Sequence, residues 1–246
     1  MAEPTPFSEL LMLSTPYSGT TALAKLLLSS ERLWSRVENA EGQRLAEAKP
    51  FMPVGSWQAD EVVDWPALKA VWEHGRPAGK ILLEKSPWIL LHAHGLVQTW
   101  PRAFFIISTR HPLAILPSIL LRRSSSEDVI SAWAIRWRQQ SRALRQTAER
   151  FADRSIVTTY ASFAREPRAL LDRLEVVFGP LGIDPDTLVK VKKYDPAPIS
   201  DHDARRIAKL SPRERELAEA LLRGPRIAQE LAFWGFDPSG PDGVAV

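Results

Sequence analysis

Leu10-Leu11-Met12-Leu13-Ser14-Thr15-Pro16-Tyr17-Ser18-Gly19-Thr20-Thr21 runs from an apolar stretch, through a Ser/Pro/Gly turn, into the start of a helical pattern. Ala22, Leu23, Leu26 and Leu27 continue that pattern on one side. The order predicts a strand, a loop of phosphate size and a helix N-terminus. Backbone N–H groups at such a start have no partner within the helix, and the helix dipole adds positive character, so an anion is held there. The hydroxyls of Ser18, Thr20 and Thr21 are further donors to phosphate oxygens. The competing reading is an ordinary strand–turn–helix with a hydroxyl-rich turn.

A Walker A loop reads G-x-x-x-x-G-K-[ST]. Here Ser14 stands at the first glycine, Gly19 at the second, Thr20 at the lysine and Thr21 at the Ser/Thr. The loop lacks the lysine that reaches the β- and γ-phosphates of ATP. Phosphate binding is expected to survive, while triphosphate hydrolysis is disfavoured.

Outward from this segment, strand and helix patterns alternate. Trp34–Val37 predicts a short second strand, followed by a polar turn at residues 38–43 and loop with short helix over 44–60. Asp60 is placed to cap a helix running to about Glu73, with Pro66 near its first turns. Lys80–Glu84 predicts a buried strand ending at Lys85-Ser86-Pro87, with a helix from there to Pro101. Ala103–Ser108 is apolar, aromatic and β-branched, a strand by composition. Pro112 then takes a helix N1 position, and Pro117 is expected to bend that helix. Ser126 caps a long helix with an acidic first turn. Arg154–Tyr160 predicts another strand, and helices are expected over Pro167–Phe178 and from Ser211 to about Phe233.

Strands alternating with helices imply a mainly parallel sheet covered on both faces. Ligands of such sheets bind beyond the carboxyl ends of the strands. Ser14–Thr21, Glu84–Pro87 and Thr109–Pro112 all follow strands, so they are expected to share one rim.

Composition narrows the function classes. The 246 residues carry 32 basic and 29 acidic side chains, a formal charge of +3, which suits an anionic small molecule and is no nucleic-acid footprint. No cysteine is present, which excludes disulfides, thiolate catalysis and cysteine metal ligands. Five histidines are scattered, and His92 and His94 are two apart on a predicted helix and so face different sides; no metal site is expected. Leu10–Leu13 is too short for a signal or membrane segment, and the expectation is a soluble cytoplasmic protein without a membrane span.

Gly19-Thr20-Thr21 would hold one phosphate. Arg110 comes directly off a strand with Ser118 eight residues on, and the two are placed to grip a second, the guanidinium bidentately. A ligand with two separated anionic groups is implied. At these residues the chain resembles the sulfotransferases that use 3′-phosphoadenosine 5′-phosphosulfate. Pro16-Tyr17-Ser18-Gly19-Thr20-Thr21 resembles their phosphosulfate loop, Arg110 with Ser118 their 3′-phosphate motif, and Lys85-Ser86-Pro87 their Lys-Thr/Ser-Pro strand end. Residues 157–163 and Leu231–Phe236 resemble later segments of that family more faintly. Tyr17 departs from the usual arginine or lysine, and the Arg-Lys-Gly motif of cytosolic members is absent.

The resemblance implies an α/β, P-loop-like three-layer fold with a central, mainly parallel sheet and helices on both faces. It implies one domain over 1–246, with a core at about 10–178 and a helical part at about 179–237. The implied reaction is sulfuryl transfer from 3′-phosphoadenosine 5′-phosphosulfate, as co-substrate, to a hydroxyl or amine of a small-molecule or glycan acceptor. No metal is called for, because a sulfuryl carries less charge than a terminal phosphoryl. Tyr17, Ser18, Gly19, Thr20, Thr21, Arg110 and Ser118 would bind the donor. Lys85, or else Lys25, would supply the cation missing at Tyr17. Glu41 is the candidate general base, Glu38 its rival, and both are otherwise plain loop carboxylates. The family's alternative base, a histidine, would fall on Pro87, leaving His92, His94 and His111 as lesser candidates. Trp57 and Trp88 lie in segments placed to flank an acceptor cleft. Two other functions stay open: a P-loop kinase-like nucleotide-binding enzyme, disfavoured by Thr20, and a non-catalytic relative in which Tyr17 marks lost activity.

Overall fold

The computed structural model describes residues 6–52, 62–191 and 195–240. Five parallel strands form the sheet: β1 (Glu9–Ser14), β2 (Leu33–Trp34), β3 (Ile81–Glu84), β4 (Ala103–Thr109) and β5 (Ser155–Thr159). Their spatial order is β2-β3-β1-β4-β5, which sets β1 at the centre, in register with β4 over its whole length from Glu9↔Ala103 to Ser14↔Ser108. A strand buried on both faces reads as a continuous apolar run, as Leu10–Leu13 does. Successive side chains point to opposite faces. Leu11 and Leu13 therefore join Phe105 and Ile107 in one core, and Leu10 and Met12 join Phe104 and Ile106 in the other.

Helices cover both faces, completing three layers. On one lie α1 (Thr20–Leu27), α6 (Tyr160–Arg165) and α7 (Pro167–Phe178). On the other lie α2 (Trp65–Glu73), α3 (Ala93–Thr99), α4 (Pro112–Leu120) and α5 (Glu127–Arg150). There too pack α8 (Asp203–Ile207), α9 (Pro212–Leu222) and α10 (Pro225–Trp234). Ser126 caps α5 by accepting from the Val129 N–H, and Ser211 with Glu214 forms a full capping box on α9.

Several boundaries differ from expectation, each for a local reason. Asp64, not Asp60, caps α2, accepting from the Ala67 N–H at 3.0 Å; Asp60 lies outside the described residues. The second strand is only Leu33–Trp34, because Arg36 turns away to bond the Val71 carbonyl and Glu47. The helix expected after Pro87 is a 3₁₀ turn over Pro87–Leu91, followed by α3. Tyr160 opens α6 instead of closing β5, since the Thr159 hydroxyl caps that helix. The last helix is split at Gly224, because Pro225 lacks an N–H and disfavours helical geometry in the residue before it. Among the described residues no helix is long and apolar enough to cross a membrane.

Candidate active site

The carboxyl ends of β1, β3 and β4 bring the three polar segments to one rim. The loop after β1 bends sharply: Tyr17 has φ 67° and Gly19 φ 75°. Among the described residues the backbone N–H groups of Ser18, Gly19, Thr20 and Thr21 have no protein acceptor. The Thr15 hydroxyl ties the loop to β4, lying 2.5 Å from Ser18 Oγ and 2.8 Å from Thr109 Oγ1.

Tyr160 joins this loop to Arg110. A Cβ on Gly19 would lie 2.4 Å from Cδ2 of Tyr160, so only glycine lets the ring sit this close. The Arg110 guanidinium carbon lies 3.7 Å from the centre of the same ring. The Tyr160 hydroxyl donates to the Ser200 carbonyl at 2.7 Å. Arg110 is buried, and its Nε donates to Asp203 Oδ1 at 2.6 Å. Burial raises the Asp203 pKa against the pull of Arg110. Nη2 of Arg110 is buried with no partner among the described residues. An orphaned guanidinium nitrogen in a protein interior is costly unless an acceptor meets it. Ser118 does not touch Arg110; its hydroxyl accepts from Nη2 of Arg206. Arg110 and Ser118 are thus each bound to α8, through Asp203 and Arg206.

Glu41 and Lys85 meet. Lys85 is almost wholly buried; its ammonium donates to Glu41 Oε1 and, at 3.0 Å, to Thr21 Oγ1 at the start of α1. Arg44 holds the other Glu41 oxygen. Burial raises the Glu41 pKa, but the hydrogen bonds and charges of Lys85 and Arg44 outweigh it, and the carboxyl titrates below its ordinary range. Burial lowers the Lys85 pKa despite Glu41. Glu38 lies apart, largely exposed and paired with Lys25.

A buried carboxylate holds the Glu41 segment in place. Glu84 accepts from the Gly42 N–H at 3.0 Å and from the N–H and hydroxyl of Ser86. The Gln43 N–H donates to Ser86 Oγ at 3.0 Å and the Lys85 N–H to the Ala40 carbonyl at 2.7 Å. Burial, against these donors, pushes the Glu84 pKa up to about 7.

Two of the three candidate histidines are tied into the fold. Nδ1 of His111 accepts from the Leu113 N–H, its Nε2 faces the Asp237 carbonyl at 2.7 Å, and burial brings its pKa down to about 4. His92 packs edge-on against Trp65 and Trp88, which stack on each other, while His94 is exposed. Trp88 is core, not a cleft wall, and Trp57 lies outside the described residues. Among the described residues no group of three His, Asp or Glu side chains is placed to hold a metal ion.

Tyr160, Asp203 and Arg206 were not singled out from the sequence. For Tyr160 the sequence offers one faint signal, its place in the segment 157–163 that resembles a later segment of the family.

A family model described as "Sulfotransferase family" matches residues 10–180, which contain the loop after β1, Glu41, Lys85, Arg110 and Ser118. The chain belongs to the sulfotransferase family. Among solved structures, a sulfotransferase from Alicyclobacillus acidocaldarius is 17% identical, with 96% of this chain and 98% of that one covered, at a TM-score of 0.59. Sulfotransferase STF9 from Mycobacterium avium is 14% identical over 96% of this chain and 79% of its own, also at 0.59. The sulfotransferase domain of the Synechococcus PCC 7002 olefin synthase is 16% identical over 96% and 98%, at 0.54. At these identities the likeness is one of fold. A search of curated proteins found no match. The sulfotransferase thus has its family's P-loop-like sheet, with the loop at the end of the central strand.

Proposed function

We propose that this sulfotransferase moves a sulfuryl group from 3′-phosphoadenosine 5′-phosphosulfate to an acceptor hydroxyl or amine, with Glu41 as general base. The observation that carries the reading is the Tyr160 ring, packed against Gly19 and carrying Arg110. The ring links the loop to Arg110, which supports a reading in which the two hold opposite ends of one nucleoside bisphosphate. The unpartnered N–H groups of the loop and Nη2 of Arg110 are the donors that fit those ends.

In this reaction a new bond forms between the acceptor oxygen and sulfur, and the bond from sulfur to the bridging oxygen breaks. Adenosine 3′,5′-bisphosphate leaves with the electron pair, and the acceptor proton passes to a Glu41 oxygen. The loop N–H groups, the Thr20 and Thr21 hydroxyls and the Lys85 ammonium face the charge that develops on the leaving phosphate. Lys85 fills the role of the cation absent at Tyr17. Its contact with Thr21 supports that assignment over Lys25, which is occupied by Glu38. The same ammonium holds Glu41 ionised, and therefore ready to accept a proton.

The test is a thermal shift in metal-free buffer. Adenosine 3′,5′-bisphosphate is expected to raise the melting temperature, whereas ATP with Mg²⁺ is not. The opposite pattern would replace this donor by a nucleoside triphosphate.

A further inference from the structure

A cavity of about 400 Å³ opens between the phosphate loop and helices α4 and α5. Pockets of about 300–1,000 Å³ are those that take small organic ligands. Thr15, Pro16 and Tyr17 form one wall, so a molecule inside has one end at the loop. Its apolar floor comes from Ile115, Ile119, Trp133 and Trp137. Around it stand Arg122, Arg123 and Arg136, all exposed, and among the described residues no carboxylate belongs to the lining. Arg122 lies over the Tyr17 ring, 5.4 Å from its centre. Among the described residues none of the three arginines pairs with an acid, whereas Arg145, further along α5, pairs with both Glu149 and Glu230.

Unneutralised guanidinium groups around an apolar hollow favour a ligand with an apolar body and an anionic group. We infer that this cavity receives the acceptor, and that the acceptor is an apolar hydroxy acid whose hydroxyl lies at the loop and whose acid group meets the arginines. The inference rests on the donor reading above. The hydroxyl oxygen takes the sulfuryl group, its proton goes to the general base, and the bisphosphate leaves, so the product is the sulfate ester of the acid.

Three probes of equal length isolate head-group charge: 10-hydroxydecanoate, 1,10-decanediol and 10-amino-1-decanol. Binding is measured by calorimetry at low salt, with and without adenosine 3′,5′-bisphosphate. The acid is expected to bind at least ten-fold more tightly than the diol, with the amine weakest. Combined Arg122→Ala, Arg123→Ala and Arg136→Ala changes should bring the acid to the level of the diol and leave the diol unchanged. Ala132→Trp, at an exposed position in the lining, should abolish binding of all three probes and keep the bisphosphate thermal shift. Equal binding of the three probes, no binding by any, or an acid preference that outlives the arginines overturns the inference. If the acid binds but the bisphosphate gives no shift, the donor reading has failed instead.

Discussion

Gly19→Ala asks whether the loop after β1 and Arg110, the two proposed anion sites, form one mechanical unit. The added methyl would lie 2.4 and 2.5 Å from Cδ2 and Cε2 of Tyr160, on a backbone with φ 75°. Left-handed backbone costs a non-glycine residue about 1 kcal/mol. Carbon contacts become comfortable only near 3.5 Å, so the ring must retreat by about 1 Å. It has little freedom to do so. Tyr160 is buried, its hydroxyl is tied to Ser200, its edge packs on Phe163, and its face carries Arg110. Overpacking of this kind costs about 1–3 kcal/mol, which brings the expected loss to about 2–4 kcal/mol. Gly75→Ala is the control. Its φ is 78°, and its Cβ would meet nothing within 4 Å, so only the backbone cost of about 1 kcal/mol applies. Urea unfolding of the two variants separates clash from strain. Calorimetry should then show adenosine 3′,5′-bisphosphate binding weakened roughly ten-fold or more by Gly19→Ala, since about 1.4 kcal/mol is a factor of ten, and unchanged by Gly75→Ala. If Gly19→Ala proves no more destabilising than Gly75→Ala, the ring does not couple the two sockets.

Further outcomes follow from the same contacts. Glu41→Gln should lower turnover by roughly 10²–10⁴, the usual worth of a general base, while the bisphosphate thermal shift persists; an unchanged rate removes Glu41 from its role. Arg110→Lys keeps the charge but forfeits the planar contacts to Tyr160 and Asp203 and the Nη2 donor. Bisphosphate affinity should fall by about 10–100-fold, as loss of a charge-assisted hydrogen bond implies, and titration calorimetry reads it directly. Glu84 gives a pH signature. Its carboxyl is raised from 4.5 to about 7 in the folded state, so the native protein holds that proton where the unfolded chain has released it. The stability it contributes is full below pH 4.5 and is lost as pH rises through 7, on the order of 3 kcal/mol in all. Glu84→Gln should remove that fall from the pH profile of urea unfolding; parallel profiles for variant and parent would contradict it.

Much of the scaffold was legible because its signals are local. The apolar run Leu10–Leu13, the glycine turn, Pro112 at a helix start and the serines at 126 and 211 each act within a few residues of themselves. The rim followed from topology, since in a parallel sheet every strand ends on the same side. Boundaries differ where local signals compete, as at Thr159, whose hydroxyl caps a helix opening at Tyr160, where the β-rich pattern predicts strand. Within the site, Glu41 and Lys85 are separate candidates in the sequence, which holds no sign that they touch. Glu84 looked like the last residue of an apolar strand, and its carboxylate gains meaning only from Gly42 and Ser86 above it.

Side-chain alternation, turn residues and caps are short-range properties, so a parallel α/β sheet and a glycine-bent, hydroxyl-rich loop after its first strand can be read along the chain. Tertiary structure alone decided who partners whom. Glu41 reaches Lys85 across 44 positions, and Arg110 reaches Asp203 across 93. Those pairings depend on the strand order β2-β3-β1-β4-β5 and on the burial that makes an unpaired charge too costly to leave alone.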